Sequence, residues 1–369
     1  MLILISCICT GQNDFSRIDQ YAKEIPDSLL TQKSITDYLV EGMTDDIQKT
    51  RAFYVWIAHN ITYDYSQYSI EKRYNSKQDI LDEVLMVRSG VCQHYSELFH
   101  ALCKQAGIRS WVISGYARLD NGQLSDIGHA WNAVYINEHF YFIDATWASG
   151  YMTEGRYRHE FTDKYFMIEP EKFIKTHMPF DPVWQFLDHP LNHRDFIDQD
   201  FSKLNVGDPY DFKEQLMIIE HNDPISNLEL ENRRITECGV ENNLIRRQLN
   251  ENKLQLTNLK YNAAIDTLNQ GINSYNLYIT YKNRQFRDPK IEDEQILTLI
   301  DQAKQGIYPA DLMLSTLHSD DAAMKDLIRY AKKKMPEMIR TVEQEAAFVD
   351  RYLKKRKPFR IFMFYSYSG

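Results

Sequence analysis

The sequence has few cysteines, no excess of basic residues and few long apolar runs. Five cysteines in 369 residues are too few and too scattered for a disulfide scaffold or for a zinc site built from cysteine pairs. The net charge of −9 gives no basic face for phosphates, so we expect no nucleic-acid partner. Because 43% of the residues are hydrophobic, we expect a folded protein held together by burial of apolar side chains.

The first eleven residues, MLILISCICTG, form a short apolar run that turns polar at Thr10. This run resembles the hydrophobic stretch of a secretory signal, with a cut after Gly11. The letters LISC, from Leu4 to Cys7, also resemble a lipoprotein box, in which Cys7 would carry a lipid anchor. A short buried strand is the alternative. Either leader predicts export to a periplasmic, cell-surface or secreted location, with membrane contact only through the lipid on Cys7. No other stretch has the roughly 18 to 20 apolar residues of a transmembrane helix.

The net charge and the pattern of apolar residues both change near residues 200–210. Residues 1–200 carry a net charge of −10 and residues 201–369 a net charge of +1. Beyond that point apolar residues recur at helical spacing in a polar sequence, with breaks expected around Gly239, Pro289, residues 306–309 and Pro336. We therefore expect three segments. They are a leader over residues 1–11, a catalytic domain over residues 12–205 and a helical bundle or hairpin over residues 206–369.

The expected catalytic domain begins with helices and continues with strands. Residues 14–60 have a helical pattern, and a further helix is predicted from Cys92 to Ala106, ended by Gly107. Three strand-like runs follow: WVISGYA, HAWNAVYI and HFYFIDAT. Helices followed by meandering strands favour an α+β fold in which helices pack on an antiparallel sheet.

Cys92 is the strongest candidate for chemistry. It lies in the first turn of its predicted helix, where unpaired N–H groups and the positive end of the dipole favour the thiolate, a strong nucleophile. Cys103 lies about three turns further along the same face, and we expect it and Cys238 to be structural. Since no partner cysteine forms a CxxC pair with Cys92, redox sensing is the weaker hypothesis.

A base and an orienting acid are predicted on the strands that follow. His129 begins one strand and Asp144 ends the next, with Asn137 and Glu138 between the two strands. If those two residues form a tight turn, Asp144 lies opposite Trp131. His129 and Asp144 then project from the same face as near neighbours. A carboxylate beside an imidazole fixes its tautomer and stabilises its protonated form, which completes a nucleophile, base and orienter.

Two blocks resemble a known family. GVCQHYSELFHALCKQAGI, followed by GHAWNAVYINEHFYFIDATW, resembles the transglutaminase-like superfamily, whose members share a papain-like core and a Cys-His-Asp triad in this order. Cys92 matches the nucleophile, His129 the base and Asp144 the orienting acid. One difference is His94, where the family has a small residue such as glycine; an imidazole there would narrow the cleft or add a titratable group.

The resemblance extends on both sides of these blocks, over about residues 50–200. WIAHNITYDY, residues 56–65, resembles the segment that precedes the nucleophile in the superfamily. DKYFMIEPEKFIKTHMPFDPVWQFL, residues 163–187, resembles the tail of the subgroup related to the kyphoscoliosis peptidase. Residues 210–369 are outside the resemblance.

The resemblance implies an exported cysteine acyltransfer enzyme that acts on a protein or peptide through a thioester on Cys92. We expect a peptidase or amidase rather than a cross-linking transglutaminase, because cross-linking requires a tunnel that excludes water. The Cys92 backbone N–H is the expected oxyanion donor, and no second donor is identified. Trp131 and Trp147 flank the expected cleft or belong to the core. No metal or cofactor is expected. The alternative is a non-catalytic module that binds a peptide or glycopeptide; the substrate and the oligomeric state stay open.

The C-terminal sequence RYLKKRKPFRIFMFYSYSG has six basic residues between Arg351 and Arg360 and no acidic one. We expect the last helix to end near Pro358, with its cations at the negative end of the dipole. Residues 361–367 are then predicted to pack as a strand or extended segment on the body of the protein. The alternative is that the basic patch docks on the acidic catalytic domain or on an anionic surface outside the cell.

Overall fold

A computed structural model describes residues 14–66, 74 and 76–364 of the protein. The predicted leader, including Cys7, lies outside these residues. The described chain divides into two compact units. The first unit holds the chain up to residue 221 together with residues 233–246, and the second unit holds residues 222–232 and the chain from residue 247 onward. No helix in the described ranges is long and apolar enough to cross a membrane.

The first unit starts with helices and then forms a sheet. Its elements are α1 (Ser16–Lys23), α2 (Gln32–Leu39), α3 (Asp46–Asn60), β1 (Thr62–Tyr63), α4 (Lys77–Val87), β2 (Ser89–Gly90), α5 (Cys92–Gln105), β3 (Arg109–Ala117), β4 (His129–Ile136), β5 (His139–Ile143), α6 (Ala145–Ser149), β6 (Gly150–Thr153), β7 (Arg156–His159), α7 (Pro170–Phe173), β8 (His177–Pro179), α8 (His193–Asp198) and α9 (Phe212–His221). This order confirms the predicted α+β fold class with helices packed on an antiparallel sheet.

Helix α3 is the central helix of this unit. Asp45 is its N-cap, whose carboxylate accepts the Gln48 N–H, and every residue from Thr50 to Ala58 is buried. A helix that is buried all round belongs to the interior of a domain. Helix α5 contacts α3 and also packs on strands β3 and β4, so its first residue, Cys92, is carried at the edge of the core.

The main sheet has the strand order β5-β4-β3-β8, with all neighbours antiparallel. Asn137 and Glu138 both adopt positive φ angles, 51° and 65°. A two-residue type I′ hairpin turn requires positive φ at both positions, because its twist then matches the twist of the two strands. The turn sets the predicted register, and Asn132 lies opposite Ile143. The sequence pattern did not predict strand β8, because three residues are too short to show an alternation of apolar and polar positions.

The predicted domain boundary near residue 205 falls inside the first unit. Helix α9 belongs to this unit because Phe212 and Leu216 are buried in a cluster with Phe186 and Trp131. The spacing of apolar residues predicts that α9 is helical, but it does not predict which core the apolar face of α9 packs against.

The remaining helices are α10 (Pro224–Cys238), α11 (Asn243–Asn283), α12 (Asp293–Thr316) and α13 (Ala322–Lys354). Breaks occur around Gly239 and Pro289 as predicted, but α12 and α13 continue through Pro309 and Pro336, where we expected them to end. A proline inside a helix costs roughly 3 kcal/mol. In the second unit the apolar faces of two long helices offset that cost, since they bury a continuous core.

Helices α11 and α12 approach closely at a pair of glycines. A Cβ atom placed on Gly306 would lie 2.4 Å from the Gly271 Cα atom, so neither position has room for a side chain. After α13, residues 357–364 form a 3₁₀ helix rather than the predicted strand or extended segment. Met363 and Phe364 nevertheless pack against the core of the second unit.

Candidate active site

Cys92 is the first residue of α5, as predicted, and only 7% of it is exposed. The preceding residue, Val91, has extended backbone and no side-chain oxygen with which to cap the helix. The first N–H groups of a helix have no partner inside the helix, so the Cys92 thiol lies beside the positive end of α5. Unpaired N–H groups at a helix start can stabilise a negative charge beside them.

His94 caps this helix start. Its Nδ1 atom accepts the Val91 N–H at 3.2 Å, and its Nε2 atom lies 2.8 Å from the Tyr74 hydroxyl. A Cβ atom on Gly90 would be 2.5 Å from the His94 ring, so a glycine at position 90 makes room for this buried imidazole. The residue that differs from the family pattern is therefore a helix cap in this chain. Sequence reasoning missed it, although position three of a helix commonly carries a side chain that reaches back to the cap.

His129 and Asp144 come together as the hairpin register predicts. The His129 Nε2–H donates to Asp144 Oδ2 at 2.7 Å, and the exposed fractions of the two side chains are 9% and 0%. The Cys92 side chain also acts on this imidazole, since it is among the groups that raise the pKa of His129. Since Nε2 is engaged by Asp144, Nδ1 is the nitrogen available to the thiol. The structure therefore joins His129 and Asp144 by a hydrogen bond and places Cys92 where it acts on the same imidazole; the catalytic roles of the three residues stay a prediction.

Asp144 also caps helix α6. Its Oδ1 atom accepts the backbone N–H groups of Thr146 and Trp147 at 2.9 and 3.0 Å. Its Oδ2 atom accepts His129 and, at 3.3 Å, the Nε2 atom of His177. Every lone-pair direction of this buried carboxylate is thus used, which is what a buried charge requires.

The neighbours of His129 and Asp144 favour the charged forms of both. Burial lowers the pKa of His129, but the Asp144 charge, the hydrogen bond to Asp144 and the interaction with Cys92 outweigh it and raise the pKa to about 10. Burial likewise raises the pKa of Asp144, but His129 and His177 outweigh it and hold the pKa well below its ordinary value. At neutral pH the pair is therefore an imidazolium and a carboxylate.

The two tryptophans near the site differ in burial. Trp131 is 1% exposed and belongs to the core. Trp147 is half-buried and stacks on the His129 ring, with centroids 5.3 Å apart and an angle of 28° between the planes. Trp147 therefore shields one face of the imidazole.

His177 is a site residue that sequence reasoning missed, although it lies in the block that resembles the family tail. It begins β8, which pairs with β3, and β3 in turn pairs with β4, which carries His129. Within the described residues, the ligand atoms of His129, Asp144 and His177 all lie within 4.8 Å of one another, so these side chains could together hold a metal ion. The hydrogen bonds among them already account for those distances.

A helix-start thiol, an imidazole and a buried carboxylate on an α+β scaffold define a domain of the papain-like class. Residues 33–145, which include all three groups, match the model of the transglutaminase-like superfamily. Human kyphoscoliosis peptidase is 29% identical over 196 residues, which are 51% of this chain and 29% of that protein. Hillarin of Drosophila melanogaster is 28% identical over 210 residues, 51% of this chain and 25% of that protein.

These matches confirm the predicted family: the chain carries a transglutaminase-like domain of the subgroup related to kyphoscoliosis peptidase. The chain spans less than a third of the length of the two relatives. Among solved structures, the periplasmic domain of TgpA from Pseudomonas aeruginosa is 21% identical, with a TM-score of 0.26 over 36% of this chain and 49% of that chain.

Proposed function

We propose that this domain is a peptidase or amidase that acts through a thioester on Cys92. The observation that carries the proposal is the set formed by the hydrogen bond from His129 to the fully buried Asp144 and by Cys92, whose side chain acts on the same imidazole. A side chain that fills a core needs no such set. A nucleophile, a base and an orienting acid do.

The arrangement supports a two-step reaction. The Cys92 thiolate attacks the carbonyl carbon of an amide, and the oxyanion that forms lies near the Cys92 backbone N–H. The imidazolium of His129 gives its proton to the nitrogen as the C–N bond breaks, and the amine leaves. Water then attacks the thioester while His129 takes its proton, and the S–C bond breaks to release a carboxylic acid and restore the thiolate. Transfer to an amine instead of water would give cross-linking, which requires the exclusion of water.

The test is the pH dependence of Cys92 alkylation by iodoacetamide, followed for each cysteine peptide by mass spectrometry. Rapid labelling well below pH 7, abolished in His129→Ala, is expected. Cys103 and Cys238 are internal controls, because both are buried and burial raises the pKa of each thiol. Labelling of Cys92 with an ordinary midpoint near about 8.5 would contradict the proposal and favour a peptide-binding module.

Cys92→Ala gives the matching activity test. The change removes one sulfur atom and little packing, so it should abolish cleavage of an amide substrate while leaving the melting temperature within about 2 °C of wild type. A variant that keeps its activity would remove Cys92 from the reaction.

We also propose that the protein is exported, on the basis of the apolar N-terminal residues alone. Cell fractionation with N-terminal sequencing tests this. A product that begins after Gly11, or at a lipidated Cys7, would support export. A cytoplasmic product that retains Met1 would contradict it.

A further inference from the structure

His177 is a fully buried histidine that the proposed reaction does not use. Its ring stacks on Phe173, with centroids 4.0 Å apart, and lies 4.5 Å from the Trp147 ring. The charged or titratable groups that act on it are Asp144, His129 and Lys164, and Tyr165 lies at its edge. Burying an imidazole at this depth is costly unless both ring nitrogens have partners.

Both nitrogens have partners, and these partners define the tautomer. The Asp144 carboxylate can only accept, so the His177 Nε2 atom, 3.3 Å from Oδ2, must carry the proton. The Nδ1 atom is then an acceptor, and it is the nearer of two acceptors for the Thr176 hydroxyl, at 2.8 Å against 3.2 Å for the Phe173 carbonyl. Burial also lowers the pKa of His177 to about 4, which keeps the ring neutral at physiological pH.

The neutral ring completes the hydrogen bonding of Asp144. The N–H groups of Thr146 and Trp147 hold Oδ1, while His129 and His177 share Oδ2. Without His177, Oδ2 would have one donor, and the carboxylate would be less well fixed around its χ2 torsion. The direction in which the His129 ring presents its Nδ1 atom to Cys92 depends on that torsion.

We propose that His177 is a positioning residue, whose Nε2–H holds the Asp144 carboxylate in the orientation that presents Oδ2 to His129. The inference rests on the proposed function of the Cys92, His129 and Asp144 set. It adds a fourth member, contributed by the segment over residues 163–187 that resembles the tail of the subgroup.

Two substitutions separate positioning from packing. His177→Phe keeps a ring between Phe173 and Trp147 but removes the donor, whereas His177→Gln replaces the ring by an amide N–H at a similar distance along the side chain. In His177→Phe we expect Cys92 alkylation at pH 6 to slow by about tenfold, the effect of one lost hydrogen bond. In a plot of the Cys92 alkylation rate against pH, the acidic limb should move to higher pH. The reason is that the Asp144 carboxylate binds a proton more readily once it has lost a hydrogen-bond donor. His177→Gln should stay within about threefold of wild type.

A structural role gives a different result. If His177 only packs, both variants lower the melting temperature and neither moves the acidic limb, and this result would overturn the proposal. Thr176→Val supplies a variant with the ring intact. It removes the hydroxyl that donates to Nδ1, and it should shift the limb in the same direction as His177→Phe but by less.

Nitrogen-15 NMR of the wild-type histidines tests the inference without any reaction. The His177 signals should show a protonated Nε2 and an unprotonated Nδ1 between pH 6 and pH 8. The reverse tautomer would overturn the positioning role even if Cys92 proved to be a nucleophile. Conversely, the expected tautomer together with an ordinary Cys92 titration would contradict the proposed function and leave the His177–Asp144 contact established.

Discussion

The two units differ in what they bury. Among the described residues, the second unit has two buried polar or charged side chains, Asn252 and Arg360. The first unit buries many more: Thr36, Thr50, Arg51, His94, Ser96, Glu97, Ser110, Asn132, Asp144, Thr146, Ser149, His177, Asp181, Gln185 and His193. An apolar core is the simpler way to stabilise a helical unit, because buried polar groups contribute little net stability even when they are paired.

The buried charges of the first unit all have partners of opposite charge or directed donors. Arg51 lies between Asp19 and Asp163, with N···O distances of 2.6 and 2.7 Å, and Arg234 is 2.7 Å from Asp181. Around Asp144 the donors also set the directions of two imidazoles. The first unit therefore gives up some stability for fixed geometry, whereas the second unit buries an almost wholly apolar core.

The largest effect should come from Asp144→Asn. The amide cannot stabilise an imidazolium on His129, so Cys92 should become an ordinary thiol, which is less than about 1% ionised at pH 6. Alkylation at pH 6 should therefore slow by about 10²-fold. Asn252→Ala is the matched control. It removes a buried polar side chain from the second unit and should leave the rate of Cys92 alkylation unchanged. Equal rates in wild type and Asp144→Asn would remove Asp144 from the site.

A cavity in the second unit should lower stability without changing the rate of Cys92 alkylation. Met335 is fully buried in α13, and Met335→Ala should lower the free energy of unfolding by about 2 to 5 kcal/mol, as measured by helical circular dichroism in urea. Cys92 alkylation at 25 °C should not change. The matched variant in the first unit is Leu98→Ala, in the helix that begins with Cys92, and it should lower both stability and labelling. A Met335→Ala protein that loses labelling would contradict the division of roles.

Acid should unfold the first unit before the second. Burial lowers the pKa of His177 and His193 to about 4, so the unfolded chain takes up these protons first as the pH falls below about 6.5. Their contribution to stability is present above that pH and is lost below it, by about 2 kcal/mol for each histidine between pH 7 and pH 5. His129 has a raised pKa, so its contribution is kept below pH 6.5 and lost only as the pH rises toward 10.

Tryptophan fluorescence can follow the first unit alone, because all five tryptophans lie in it. The second unit has a single histidine, His318, which is exposed. On titration from pH 7 to pH 4 the fluorescence transition should come at higher pH than the loss of helical circular dichroism, and His193→Gln should move it to lower pH. Coincident transitions would show that the buried histidines do not control acid stability.

The smallest effect concerns the end of the chain. Arg360 is 10% exposed and donates to Asp293 at 2.6 Å and to the Leu353 carbonyl at 3.0 Å. Arg360→Met should lower the free energy of unfolding by about 1 kcal/mol, since Asp293 is partly exposed and can be hydrated instead. Lys354→Met breaks the exposed pair with Asp350 and should cost less than about 0.5 kcal/mol. Equal costs would show that the 3₁₀ segment is not anchored by Arg360.

The parts of the fold that could be predicted are those encoded by neighbours in the chain. Apolar spacing predicted the helices, and the two-residue turn at Asn137 and Glu138 predicted the register that places His129 beside Asp144. Breaks at Pro309 and Pro336 were predicted wrongly. A local rule about proline does not include the long-range packing that carries α12 and α13 through them.

The sequence by itself determined the α+β order of elements, the helix that begins at Cys92 and the hairpin that brings together an imidazole and a carboxylate. Each follows from spacing within about twenty residues. Only the tertiary structure decided that His177 completes the Asp144 cluster, that His94 caps the helix of Cys92 and that α9 belongs to the first unit. The physical reason is that partners distant in sequence are selected by the packing of the whole unit, which no local pattern records.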